Sequence, residues 1–262
     1  MAITLEQTKE LADLLLQAEE SSVPVPPLTD KYPDITAADA YEVQLEVTRR
    51  RLAGGRKIVG RKVGLTSLAM QKMLNVDQPD YGAILDDMIV ADGATYEASR
   101  LLQPRIEPEI AFMLKAPLKG PGVTAADVIA ATDYLFPALE IVASRVKDWK
   151  IKLEDTIADN ASSGAVVIGE AHSVAEGADL VNEALIFEKN GEELARATGA
   201  AVLDNPANAV AWCANKLSEY GESIAAGEFI IPGALAGMVP VAPGDTITAK
   251  FSTIGTVTVT FA

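Results

Sequence analysis

Arg105-Ile106-Glu107-Pro108-Glu109-Ile110-Ala111-Phe112-Met113-Leu114 is the stretch that decides how this chain is read. In an extended strand successive side chains alternate faces, so Glu107 and Glu109 project from the same side. The run from Ile110 to Leu114 has no polar break, which predicts a strand buried for most of its length. Two carboxylates then share one site near the start of the strand. Like charges that close repel unless they are protonated or neutralised by a cation, and Pro108 between them removes a backbone donor. A bound metal is the simplest remedy. The competing interpretation is the solvated face of an edge strand, where proline is also tolerated.

Working outward, Tyr134-Leu135-Phe136-Pro137-Ala138-Leu139-Glu140-Ile141-Val142-Ala143 places a single carboxylate in an otherwise apolar run. A buried carboxylate is rarely left unpaired. Glu107, Glu109 and Glu140 on two apolar strands would make an oxygen-rich cage of the kind that Mg²⁺ or Mn²⁺ prefers, with positions left for water or substrate. One histidine, His172, and one cysteine, Cys213, are too few for the usual zinc ligand sets.

The 262 residues are 49% hydrophobic and 5% aromatic, a globular profile with no apolar run long enough to span a bilayer. A formal charge of −15 argues against nucleic acid or an anionic membrane as partner, and an anionic substrate would need a local cation. The first residues show no basic segment followed by an apolar core, and a lone cysteine offers no internal disulfide, so the expected location is the cytoplasm. The expected organisation is an N-terminal helical region and first strand, residues 1–75, packed on a β-rich core, residues 76–262.

Thr4-Leu5-Glu6-Gln7 fits a capping box opening a helix with Leu11, Leu14, Leu15 and Ala18 on one face. Val23–Pro27 must be extended. A second helix begins near Thr36, and Arg49, Arg50 and Arg51 complement the dipole of its last turn. Lys57–Leu65 alternates as a strand; Lys62, flanked by glycines, is either a surface lysine or a functional one. A short helix is predicted from Ser67 to Leu74, then a loop, Val76-Asp77-Gln78-Pro79-Asp80-Tyr81-Gly82, whose aspartates could face inward or merely form turns. Met88–Ala94 suggests a strand and turn. The hydroxyls and amides of Thr156–Gly164 suggest a loop able to hold a carboxylate or carbonyl, although an Asx turn explains most such clusters. Farther on, Asn190-Gly191 marks a hairpin, and Asn205-Pro206 opens a helix that buries Cys213 and stops at Gly221. Alternating strands close the chain, and antiparallel pairing is expected to dominate from Glu107 onward. No Gly-rich phosphate loop follows a strand, so nucleotide use is not indicated.

Gly60-Arg61-Lys62-Val63-Gly64-Leu65-Thr66, the 76–82 segment, Arg105–Glu109, Ala158-Asp159-Asn160-Ala161-Ser162-Ser163 and Pro243-Gly244-Asp245 together resemble the 2-keto-4-pentenoate hydratase family. That family has the fumarylacetoacetate hydrolase-like fold and also contains 2-oxohept-4-ene-1,7-dioate hydratases and 4-oxalocrotonate decarboxylases. The resemblance spans nearly the whole chain; one departure is Pro108, where relatives often carry a small residue. It implies an α+β fold, a mixed β-sheet barrel or roll with peripheral helices, and Mg²⁺ or Mn²⁺ on Glu107, Glu109 and Glu140. It further implies a 2-oxo or 2-hydroxydienoic acid as substrate, with Leu65, Asp159 and Ser162 binding it and Lys62 and Asp80 acting in catalysis. A homo-oligomer is implied as well, with transient contact to a pathway aldolase or decarboxylase.

Hydration needs a group to move protons and position water, and Asp80 would supply it, which favours a hydratase of aromatic meta-cleavage catabolism. Decarboxylation of 2-oxohex-3-enedioate, C–C bond hydrolysis and a non-catalytic scaffold are the other readings. Hydrolysis would need a base poised at a carbonyl, and His172 lies in a polar stretch where a solvated imidazole is the simpler assignment.

Overall fold

A computed structural model of the chain describes residues 2–67, 71–72, 76–170, 173–175 and 177–262. Helix α1 (Leu5–Ser21) starts at the Thr4 capping box, where the Thr4 hydroxyl accepts from the Gln7 N–H and the Gln7 side chain accepts from the Thr4 N–H. After an extended proline-rich segment and a single turn, α2 (Leu28–Lys31), helix α3 (Ala37–Ala53) repeats the device with Thr36 and Asp39. Arg49, Arg50 and Arg51 end α3, with ion pairs from Arg50 and Arg51 reaching back to Asp13 and Glu19 of α1. The dipole explanation for these arginines is therefore joined by a tie between helices.

Strands β1 (Ile58–Gly64), β2 (Asp80–Leu85), β3 (Ile89–Ala91), β4 (Thr95–Tyr96), β5 (Arg105–Leu114), β6 (Thr132–Val142), β7 (Ser163–Ile168) and β8 (Ser173–Val174) follow. Helix α4 (Ala125–Ala131) precedes β6, and α5 (Leu153–Ala158) precedes β7. Next come β9 (Ala184–Lys189), β10 (Glu192–Thr198), helix α6 (Pro206–Ser218), β11 (Phe229–Ile231), β12 (Val239–Pro240), β13 (Thr246–Phe251) and β14 (Thr256–Phe261). The main sheet has the order β2-β1-β11-β5-β6-β7-β3, with β12 on β5 and β8 on β6; the second sheet runs β10-β9-β13-β14-β4. Most pairs are antiparallel as expected, but β1–β11, β3–β7 and β4–β14 are parallel. The architecture is α+β with two mixed sheets rather than a closed barrel.

Both faces of the main sheet are covered, which is why β5 and β6 read as nearly unbroken apolar runs. Ile106, Ile110, Phe112, Leu139 and Ile141 belong to the large core shared with the second sheet and the helices. The opposite face curls inward around Ile84, Ala111, Phe136, Ala138, Val166, Phe229 and Ile231. This concave face is apolar at one end, and at the other it carries Glu107, Glu109 and Glu140.

Two expectations change. Asp80-Tyr81-Gly82 is not loop but the start of β2, paired with Gly64, Val63 and Lys62; the missing Cβ of Gly82 makes room for Asn160, and that of Gly64 for the Asp80 carboxylate. Thr156-Ile157-Ala158 is the last turn of α5, with Asp155 accepting from the Lys152 and Thr29 N–H groups. Helix α4, between β5 and β6, answers to no expectation above. The helix expected at Ser67–Leu74 falls partly outside the described residues; Gln71 and Lys72 are helical, and the Gln71 N–H donates to the Ser67 carbonyl.

Candidate metal centre and active site

The antiparallel register of β5 and β6 sets Glu107 directly opposite Glu140 and Glu109 opposite Ala138. With period-two alternation, all three carboxylates converge on one face, and one oxygen from each lies within 4.8 Å of the others. Glu109 and Glu140 are fully buried, while Glu107 is half-buried. Glu109 Oε2 accepts from the Gly233 N–H at 2.6 Å. Glu109 Oε1 and both Glu140 oxygens are buried without a hydrogen-bond partner among the described residues. Orphaned carboxylate oxygens in an apolar surround are costly, and three facing one another fit a hard divalent cation such as Mg²⁺ or Mn²⁺. Burial and then repulsion from Glu140 push the Glu107 carboxyl up to about 8, against the pull of Lys62. Burial raises Glu109 and Glu140 as well, with Glu140 and Glu107 adding to the rise at Glu109.

Lys62 is buried, not a surface lysine. Its place in β1, level with Gly82 of β2 and Ile231 of β11, turns its ammonium into the concave face, 3.3 Å from Glu140 Oε2 and 2.8 Å from the Ala161 carbonyl. Burial alone would lower its pKa; the surrounding Glu140, Asp80, Glu107 and Glu109 outweigh that and raise it. Asp80 is buried too, its carboxyl raised by desolvation and pulled down by Lys62 and the Thr156 hydroxyl. Gly64 makes room for it: a Cβ there would sit 2.2 Å from Asp80 Oδ1. Asp77 is exposed, so of the two aspartates in that segment only Asp80 faces inward. Leu65, just beyond β1, is half-buried with a left-handed backbone, φ 57°, and its carbonyl accepts from Gln71 Nε2.

The facing wall is an unusual turn. Asn160, Ala161 and Ser162 have φ of 55°, 51° and 53°, three successive left-handed residues that side chains disfavour. Such a backbone survives only when its neighbours over-determine it. The Asn160 amide accepts from the Ala83 N–H at 2.8 Å and donates to the Ala83 carbonyl at 2.9 Å, mimicking a strand pair. Buried Arg145 donates to the carbonyls of Asp159 and Ser163 and pairs with the Asp159 carboxylate, which also accepts from the Arg145 N–H. The Asp159 carboxyl is pushed up to about 6 by burial, opposed by Arg145. Its oxygens face Arg145 and Ser144 rather than the three glutamates, so Asp159 sits here as the anchor of the turn. Ser162 is buried with its hydroxyl 3.3 Å from that of Thr156, which donates to Asp80 at 3.2 Å.

Lys62, Asp80, Ser162 and the three glutamates are thus brought to one end of one sheet face, with Leu65 at its margin and Asp159 behind. His172 lies outside the described residues. A cavity of about 430 Å³ between α1, α3 and the back of the turn touches Asp159 and Asn160 but not Glu107, Glu109 or Glu140. Sequence reasoning gave no role to Arg145 or Gly233 and took Thr156 and Asn160 only as members of a polar loop. Arg145 did leave a signal, the first charge after a buried strand. Gly233 left little, although a Cβ there would strike Thr66 Oγ1 at 2.0 Å and φ is 116°.

Residues 59–262 match the fumarylacetoacetate (FAA) hydrolase C-terminal family. The chain is 47% identical over 249 residues to a 2-hydroxyhexa-2,4-dienoate hydratase of Comamonas testosteroni, covering 94% of each. It is 44% identical over 259 residues to a 2-keto-4-pentenoate hydratase of Paraburkholderia xenovorans (strain LB400), covering 99% of this chain and 96% of the relative. Among solved structures, a 4-oxalocrotonate decarboxylase from Pseudomonas putida G7, complexed with magnesium and adipate, superposes with a TM-score of 0.96 at 43% identity over 99% of each chain. Buried, convergent carboxylates on a rolled mixed sheet, and relatives matched end to end, lead to one conclusion: the chain belongs to the fumarylacetoacetate hydrolase family.

Proposed function

We propose that this chain is a divalent-metal-dependent hydro-lyase that adds water to 2-hydroxypenta-2,4-dienoate, by way of its 2-oxo tautomer, to give 4-hydroxy-2-oxopentanoate. The observation that carries the reading is a buried Asp80 beside Lys62 on the same face as three convergent carboxylates, two of which have orphaned oxygens: a proton-handling pair next to an oxygen-rich cation site. Glu107, Glu109 and Glu140 would hold Mg²⁺ or Mn²⁺, which when bound supplies Lewis-acid stabilisation of the enolate charge. Lys62 faces the substrate oxygens and gives or holds the proton that arrives at C5. Asp80 orients water toward C4 and takes its proton. Ser162 borders the substrate, the amides of its turn hold the substrate carboxylate, Leu65 borders the chain and Asp159 fixes the turn from behind. The relatives named hydratase support the reaction class.

The test is a spectrophotometric assay on freshly made 2-hydroxypenta-2,4-dienoate with Mg²⁺ or Mn²⁺ and with chelator, the product identified by mass. Loss of the dienol absorbance with gain of one water is the expected result; loss of absorbance without that product sinks the reading. A second reading, decarboxylation of 2-oxohex-3-enedioate, is favoured by the 43% identical decarboxylase that superposes so closely, and release of CO₂ separates it from hydration. A longer substrate, 2-oxohept-4-ene-1,7-dioate, fits the same chemistry. No helix among the described residues is long and apolar enough to cross a membrane. A cytoplasmic homo-oligomer that passes its product to an aldolase, or receives substrate from a decarboxylase, completes the proposal.

A further inference from the structure

Thr156 touches two of the residues assigned to chemistry and was itself assigned to none. It is buried on the last turn of α5, its hydroxyl 3.2 Å from Asp80 Oδ2 and 3.3 Å from Ser162 Oγ. An ionised carboxylate can only accept, so Thr156 must donate to Asp80, and the one hydrogen bond left to it on the other side is an acceptance from Ser162. The chain is therefore polarised: Ser162 to Thr156 to Asp80. When Asp80 gains a proton the polarity can reverse, and Ser162 is freed to donate forward. The arrangement is rigidly held, since the Asn160 amide ties the turn to Ala83 and Gly82 has no Cβ to push Asn160 away, its place lying 2.4 Å from the Asn160 carbonyl.

We infer that Thr156 is a positioning residue that relays a proton between Asp80 and Ser162 during water addition. The inference rests on the hydratase reading. Water forms its O–C4 bond as the C3=C4 π-bond breaks, the electron pair moves to the 2-oxygen as an enolate, and the water proton goes to Asp80. Asp80 then passes a proton to Thr156 Oγ, Thr156 passes its own to Ser162 Oγ, and Ser162 passes its own to C3. The new C3–H bond restores the 2-oxo acid, and each side chain ends as it began except that the hydroxyls have exchanged protons.

Thr156→Val keeps the shape and removes the hydroxyl, whereas Thr156→Ser keeps the hydroxyl. With 2-hydroxypenta-2,4-dienoate and Mg²⁺, kcat is expected to fall about 30-fold in Thr156→Val and to stay within about threefold in Thr156→Ser, with KM nearly unchanged in both. Titrations with Mg²⁺ and then oxalate should be indistinguishable from wild type, which shows that the folded site is intact. In D₂O, with the product reduced by borohydride before it exchanges, wild type and Thr156→Ser should place deuterium on one face of C3, and Thr156→Val on both. Wild-type rate and labelling in Thr156→Val, or a Thr156→Ser no better than it, overturns the relay alone. A wild type that releases CO₂ from 2-oxohex-3-enedioate and adds no water to the dienoate overturns the hydratase reading, and the relay with it.

Discussion

On one wall of the site Glu107, Glu109 and Glu140 ride on β5 and β6, two long regular strands in register with both faces covered. On the facing wall Asp80, Thr156 and Ser162 come from the first residue of β2, the last turn of a six-residue helix and a left-handed turn. The first wall needs only alternation and pairing to aim its side chains. The second is held by side chains acting on backbone: Asn160 on Ala83, Arg145 on Asp159 and Ser163, Lys62 on Ala161. Changes in the strand wall should therefore act on cation binding, and changes in the turn wall on proton transfer, with little crossover.

The largest effect is expected at the strand wall. Glu109→Gln should weaken Mg²⁺ binding by about 100-fold or more and reduce kcat by on the order of 10³, measured by calorimetric titration and the dienoate assay. It should also change the metal-free protein in the opposite sense. Because burial lifts these carboxyls in the folded chain, to about 8 at Glu107, the folded state holds protons that the unfolded state releases near pH 4.5. Stability of the metal-free protein must then fall as pH rises from about 4.5 toward 8, and Mg²⁺ should remove that slope. Melting curves with chelator across this range should be flatter for Glu109→Gln; an unchanged slope would place the excess protons elsewhere. For the same reason Mg²⁺ affinity should weaken as pH falls from 8 to 6, with protons released on binding.

Next in size is the turn wall. Asp80→Asn should cost roughly 10²–10³ in kcat while leaving Mg²⁺ affinity nearly intact; loss of metal instead would break the division between the walls. Asn160→Gly keeps the left-handed backbone but opens the clasp to Ala83, so kcat should drop about tenfold at constant Mg²⁺ affinity, with a small fall in melting temperature. Gly82→Ala should resemble it, since the added methyl would lie 2.4 Å from the Asn160 carbonyl.

How much could be read in advance follows the same division. Glu107, Glu109 and Glu140 are legible because period-two alternation is a local property and a lone carboxylate in an apolar run is conspicuous. Pro108 was compatible with both an edge strand and a buried one; in the structure it is buried opposite Leu139 on the large-core face. Lys62 could be either exposed or functional because its burial depends on β2 and β11, which arrive from roughly 20 and 170 residues away, and sequence pattern carries no such long-range pairing. Asp80 was assigned to a loop since Pro79 and Gly82 are turn formers, yet here glycine serves close backbone approach instead. The loop at 160–162 was legible from its polar composition, but its left-handed backbone was not: Ala161 and Ser162 do not favour φ above zero, and only the tertiary ties to Ala83, Arg145 and Lys62 make that conformation affordable.

The smallest effect is expected in the second sheet, where the pattern alone is nearly sufficient. In β13 and β14, Ile247, Ala249, Phe251, Val257, Val259 and Phe261 point inward and are buried, while Thr246 and Thr248 face Thr260 and Thr258 across the pair with hydroxyls 3.1 Å apart. Because this face is partly wet, each hydroxyl can exchange its partner for water, and a cross-strand pair of this kind contributes only about 0.2–1 kcal/mol. Thr248→Ala should therefore lower stability to denaturant by less than about 1 kcal/mol, whereas Ile247→Ala on the buried face should cost roughly 2–5 kcal/mol. Neither should alter Mg²⁺ affinity. A change in kcat from Thr248→Ala would show that the second sheet steers the concave face through the shared core, and the two walls would then no longer be the sole determinants of the site.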